Sequence, residues 1–196
     1  MNLEDYKKID NTLDMKDITE KSIGILLISF IIYGILYGLL HKEFFLSGLF
    51  EIDSLLNEEW NFIVNFAVFI LVYGVLAALH EGIHAITCLG DDKVSYKDIK
   101  FGILMEYVTP YFHCKVPICV TRYKLVLLMP TIILGFLPSI LGLILGNAVL
   151  TSYGFVMFLG GVGDFMVYKA LKKYKTDDLI MDNPHSVGFV AYVKEH

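Results

Sequence analysis

Three side chains within one helical turn of sequence, His80, Glu81 and His84, set the chemistry available to this chain. In a His-Glu-x-x-His pattern on a helix the two histidines leave nearly the same face, about 6 Å apart along the axis, and can converge on one tetrahedral zinc ion. Glu81, one position on, is turned by about 100° around the axis, toward the ion's water rather than its ligand position. That division suits hydrolysis: zinc lowers the pKa of bound water and polarises a carbonyl, while the glutamate takes the proton and returns it to the leaving amine. The bland use of the same residues is an interfacial histidine pair that snorkels to water. Against it, each ionisable group at the end of a membrane helix costs roughly 2.5–3.5 kcal/mol unless paired or hydrated, so an idle cluster is expensive.

A catalytic zinc needs a third protein ligand, and Asp164 is the only charge in the apolar stretch Phe158 to Met166. Its depth agrees with the histidines: it lies eight residues before Lys172, and His84 and His80 lie six and ten residues before Gly90. Gly160 and Gly163 have the small-x-x-small spacing that predicts a close helix approach beside Asp164. The alternative is ordinary glycine packing with Asp164 paired to a lysine.

The elements that must hold these groups are membrane helices. The 196 residues are 56% hydrophobic and 19% charged, with a mean hydropathy of +0.60, far from a soluble average. Nineteen uncharged residues run from Ser22 to Leu40, nineteen more from Asn61 to Leu79, and thirty-nine from Leu125 to Gly163. Each of the first two crosses a hydrocarbon core of about 30 Å; the third is nearly twice too long for one helix and must turn, at Gly146-Asn147 or Ser152-Tyr153-Gly154. The fold class expected is therefore an all-α membrane protein, residues 1–196 forming a single membrane domain with spans near 22–40, 61–89, 125–146 and 153–172. The first span, preceded by acidic residues, reads as retained rather than as a cleaved signal. All sixteen Lys and Arg except Lys42 then fall on one side, which predicts a cell-membrane protein with both termini cytoplasmic. A net charge of -5 predicts no nucleic-acid partner. Cys88, Cys114 and Cys119 form no disulfide framework and read as free thiols.

Residues 99–122, rich in β-branched and aromatic residues and broken by Pro110 and Pro117, predict a short β-hairpin-like segment between helices two and three. Two readings stand: a cytoplasmic connection, or irregular backbone lining a hydrated cavity, where a strand edge around Tyr107, Val108 and Thr109 would hold an unwound substrate extended. His113 and Cys114, adjacent in a strand, point to opposite faces and stay unassigned. His185 follows the turn signal Asn183-Pro184, with a short strand expected from Val187 to Val193. Pro130 and Pro138 predict kinks in the third helix.

Beyond these local readings, the chain resembles a zincin-peptidase group of small bacterial membrane proteins and looks like the site-2 protease group of intramembrane metallopeptidases. The resemblance is carried by His80-Glu81-Gly82-Ile83-His84, His113-Cys114-Lys115-Val116-Pro117, Met129-Pro130, Gly163-Asp164, and Asp182-Asn183-Pro184-His185 with Gly188-Phe189. It implies a zinc held by His80, His84 and Asp164, with Glu81 as general base. Asp164 is followed by Phe165 and lacks the Asn-Pro and Asp-Gly context of site-2 proteases. The expected activity is zinc-dependent hydrolysis of a peptide bond in or near the bilayer, the substrate a membrane protein or peptide. A non-catalytic zinc-binding adaptor or metal-handling protein is the alternative, against which the glutamate between the histidines argues.

Overall fold

The computed structural model describes residues 6–13, 15–43, 62–104, 109–183 and 188–194. Among them, four helices are long and apolar enough to cross a membrane: Glu20–His41, Phe66–Leu89, Val120–Leu145 and Ala148–Lys173. A helix satisfies its own backbone where no water is present, so uninterrupted apolar sequence of this length folds as helix in a bilayer. Many apolar side chains of the first two spans, Ile28, Ile31 and Leu71 among them, are exposed, as surfaces that face lipid rather than water require.

Strand β1 (Tyr6–Thr12) and helix α1 (Met15–His41) open the chain, followed by α2 (Phe62–Leu89). Next come β2 (Ile99–Leu104), β3 (Thr109–Cys114) and β4 (Ile118–Cys119). The third span is α3 (Val120–Pro130), a π-helical turn (Thr131–Phe136) and α4 (Leu137–Leu145). The fourth is α5 (Ala148–Gly160) and α6 (Val162–Ala170), and β5 (Leu179–Asp182) and β6 (Gly188–Lys194) complete the order.

The expectation of an all-α chain with a single hairpin-like segment is corrected by its sheets. β1, β6, β5 and β4 form a four-stranded sheet that joins both ends of the chain, with Tyr6 opposite Lys194 and Ile118 opposite Ile180. β2 and β3 form a separate antiparallel pair, Ile99 opposite Cys114. Of this first sheet, β6 falls where a short strand is expected, from Val187 to Val193, whereas β1, a strand among lysines and aspartates, is recognisable only through its partner far along the chain.

The chain gathers into two compact units. One comprises Met1–Lys21, Glu81–Pro130 and Gly163–His196. Its core packs Cys88, Cys114, Tyr123, Val126, Leu171, Ile180 and Phe189, so that α3, α6 and the last turns of α2 close over the four-stranded sheet. The three cysteines are free thiols, Cys88 and Cys114 buried.

The other unit comprises Ser22–His80 and Thr131–Val162. Here α4 ends on Gly146, in the left-handed region at φ 67°, and Asn147 caps α5 by accepting the Leu150 N–H at 2.8 Å. The turn in the long apolar run is thus Gly146-Asn147. Ser152, Tyr153 and Gly154 remain inside α5, where the Ser152 hydroxyl donates to the Ala148 carbonyl at 2.6 Å. The fourth span, Ala148–Lys173, covers the expected 153–172 and is interrupted at Gly161, between α5 and α6. Several polar groups within this unit pair with one another: Tyr33 and Ser139 hydroxyls lie 2.7 Å apart, and His41 Nε2 donates to the Leu143 carbonyl at 2.7 Å, whereas Thr131 Oγ1 and the Tyr153 hydroxyl are buried without a hydrogen-bond partner among the described residues.

Candidate metal centre

Ala77, Ala78 and Leu79 are strong helix formers, and α2 carries straight through them into the turn that bears His80, Glu81 and His84. In that turn one ligand atom from each of the three side chains lies within 4.8 Å of the others. The histidines are 7% and 5% exposed, so two imidazoles and a half-buried carboxylate are brought together out of bulk water. Glu81 is less turned away than the 100° step suggests, its carboxylate sharing the same small space as the ring nitrogens.

His84 is oriented from behind. Its Nδ1 lies 2.8 Å from the Val126 carbonyl of α3, and since a carbonyl only accepts, Nδ1 carries the hydrogen and donates it. The lone pair is thereby fixed on Nε2, which lies 3.5 Å from Oδ2 of Asp164 on α6. Two ligand atoms each about 2.0–2.1 Å from a tetrahedral zinc stand roughly 3.4 Å apart, so the spacing of Nε2 and Oδ2 matches a shared ion. Two imidazoles and the Glu81 carboxylate, with ligand atoms within 4.8 Å of one another and one imidazole held in the ligating tautomer, make a donor set that fits zinc, with Asp164 standing beside His84.

The Val126 carbonyl is available for a reason written in the chain. Its regular helical partner would be the amide four residues on, and that residue is Pro130, which has no N–H. Beside this contact the Phe112 ring of β3 stacks on His84, centroids 5.9 Å apart and planes 21° from parallel. One turn before Val126, the Tyr123 hydroxyl donates to Asp182 Oδ1, and Asp182 Oδ2 accepts the Cys114 N–H at 2.6 Å. Burial pushes the Asp182 carboxyl above the usual carboxylate range, only partly offset by these donors. Asp182 thus pins α3, β3 and β5 together, a role that no local pattern in the sequence marks.

Of the residues singled out in the sequence, His80, Glu81 and His84 come together, and Asp164 meets His84. Gly160 and Gly163 do not make the expected close approach among the described residues, where a Cβ on either would meet nothing within 4 Å. The tight glycines are others: Gly161 abuts Thr131, Gly154 abuts the Ser139 backbone, and a Cβ on Gly135 would come 2.7 Å from the Phe158 Cα. Tyr107, Val108 and His185 lie outside the described residues, and Thr109 opens β3. His113 sits opposite Lys100 in the β2–β3 register, and Cys114 is buried. The Cys114 thiol donates to the Val116 carbonyl at 3.4 Å.

Four helices long and apolar enough to cross a membrane, one carrying His-Glu-x-x-His with side chains close enough to hold a metal ion, are the features of a multi-pass membrane protein with a zincin-like motif. Residues 73–179, more than half of the chain, match the family described as "Putative zincin peptidase", and the chain belongs to that family. No curated protein and no solved structure matches it.

Proposed function

We propose that the protein is a zinc-dependent membrane metalloprotease of the site-2 protease kind, with both termini cytoplasmic, that cleaves a peptide bond of a membrane protein or peptide in or near the bilayer. The observation that carries this reading is the single α2 turn in which His80, Glu81 and His84 place their ligand atoms within 4.8 Å of one another. His80, His84 and Asp164 would hold the ion. When bound, zinc supplies Lewis acidity and water acidified to near neutral pH. Glu81, beside both imidazoles, accepts a proton at its carboxylate and delivers it to the departing amine. The His84 N–H to Val126 keeps that ring from turning its lone pair away. β3, whose Phe112 lies against His84, brings a strand to the site, against which an unwound substrate would lie extended near Thr109.

The test is metal content and cleavage measured side by side. Purified protein should hold about one zinc per chain and lose it in His80→Ala or His84→Ala, while Glu81→Gln keeps the metal. Membranes expressing Glu81→Gln should accumulate an uncut polypeptide that the wild type removes. If no polypeptide differs although zinc is bound, the site serves binding alone, and the adaptor reading replaces the protease.

A further inference from the structure

A cavity of about 640 Å³ lies away from the histidine turn, lined by Gly90 to Lys93, by Arg122, Lys124, Leu125 and Leu128 of α3, and by Tyr168 of α6. Its position is set by the spans: Gly90 follows the last residue of the second, α3 begins the third, and Tyr168 lies five residues before the end of the fourth. Three membrane helices thus end around it at one bilayer surface, the depth of lipid headgroups.

Its polar end is cationic and incompletely satisfied. Arg122 Nε is buried without a hydrogen-bond partner among the described residues, which is costly for a group with five donors. The guanidinium lies against Gly90, just past the end of α2, where a Cβ would meet Nη2. Lys124 Nζ sits over the Tyr168 ring at 5.9 Å from its centroid, and Lys93 is exposed at the rim. Two carboxylates share the rim. Asp91 Oδ1 is tied back to its own turn by the Lys93 N–H at 3.1 Å, and Asp92 faces solvent.

The apolar end runs the other way. Thr121, Leu125 and Leu128 fall at intervals of four and three residues, one stripe of α3 that leads from the cations into the span, and Leu125 is 42% exposed. A soluble anion would use the cations and leave this stripe idle. A molecule with a phosphate above and an acyl chain below uses both.

We propose that this cavity binds the phosphodiester headgroup of an anionic phospholipid, with Arg122 as the bidentate phosphate ligand, Lys124 as a supporting cation and the Leu125–Leu128 stripe against the acyl chain. The guanidinium fork matches two phosphate oxygens, and basic pockets between membrane helices are the usual places for such headgroups. The site is independent of the metal centre.

The test uses the full chain in an uncharged detergent. Short-chain phosphatidylglycerol, phosphatidylcholine of the same chain length, and inorganic phosphate are titrated separately while the thermal midpoint is followed, and native mass spectrometry counts retained lipids. Phosphatidylglycerol should raise the midpoint saturably and stay bound, and Arg122→Gln should weaken it by about tenfold or more, the worth of a charge-assisted bond. Should Arg122→Gln fail to fold, Lys124→Gln and Leu125→Asp, both at partly exposed positions, carry the same test with smaller losses. An equal response to phosphatidylcholine, an unchanged response in the variants, or no response at all overturns the proposal. Inorganic phosphate matching the lipid overturns it in favour of a soluble anion.

Discussion

Replacing Pro130 by Ala separates the orientation of the metal ligand from the stability of the fold. In the wild type the 2.8 Å bond from His84 Nδ1 to the Val126 carbonyl uses an acceptor that Pro130 leaves without its helical donor. An alanine amide at 130 would compete for that oxygen, and the ring would be freer to turn its lone pair from Nε2 to Nδ1. Losing an outer partner of a ligating histidine typically costs 10–100-fold in metal affinity. The carbonyl keeps a second lone pair, so the lower end applies: about tenfold, or roughly 1.4 kcal/mol. Stability should move the other way or stay level, since proline inside a helix is about 3 kcal/mol less favourable than alanine. The assays are competition for zinc against a chromogenic chelator, thermal unfolding without metal, and ¹⁵N-histidine spectra of the metal-free protein, which report the tautomer directly. Zinc affinity falling together with stability would mean that the fold, not the tautomer, was damaged. Unchanged affinity with an unchanged His84 tautomer would refute the orienting role of this carbonyl outright.

Asp164→Asn should weaken zinc by more than about 100-fold, beyond what an outer partner supplies, if its carboxylate ligates alongside His84 Nε2; a smaller loss in the same chelator assay would place it outside the ligand set. Gly154→Ala would drive a methyl into the Ser139 backbone and should lower stability by about 1–3 kcal/mol, read as a fall in thermal midpoint. Asp182 holds its proton to higher pH when folded than when unfolded, so its contribution to stability is complete below the usual carboxylate range and is lost as pH rises through the raised folded value. Asp182→Asn should flatten that slope in thermal unfolding followed across acidic to neutral pH. It should also lower stability throughout, because one amide oxygen must then serve both Tyr123 and the Cys114 N–H.

What sequence could show follows the range of the interactions. The histidine turn was legible because residues four apart on a helix meet whatever surrounds them. Asp164 was legible through cost, a lone carboxylate in apolar sequence needing a partner, and His84 is one. Spacing could not tell which glycine faced a neighbour. One residue turns a helix by about 100°, so Gly161 meets Thr131 while a Cβ on Gly160 would meet no described residue within 4 Å. Turn composition was equally suggestive at Gly146-Asn147 and at Ser152-Tyr153-Gly154, and only the former receives a left-handed residue and a capping side chain. β1 depends on pairing with β6 and was invisible. So was the Tyr123–Asp182 contact, whose partners lie far apart in sequence.

Proline in a membrane helix and histidine beside a membrane helix are each unfavourable alone. Pro130 removes the donor that the Val126 carbonyl would use, and an unsatisfied carbonyl in a water-poor setting costs on the order of several kcal/mol. A buried imidazole N–H without an acceptor costs on a similar scale. The His84–Val126 hydrogen bond cancels both at once, so the two residues stabilise each other's presence across α2 and α3. The cancellation leaves Nε2 toward Asp164, which is the arrangement an ion requires. It follows that the two positions are energetically coupled. His84→Ala should cost less stability in a Pro130→Ala background, where the Val126 carbonyl has regained a helical donor, than in the wild type, where truncating the imidazole strands it. A double-mutant cycle on metal-free protein measures this difference, and strict additivity would show that the proline and the histidine share the site without depending on one another.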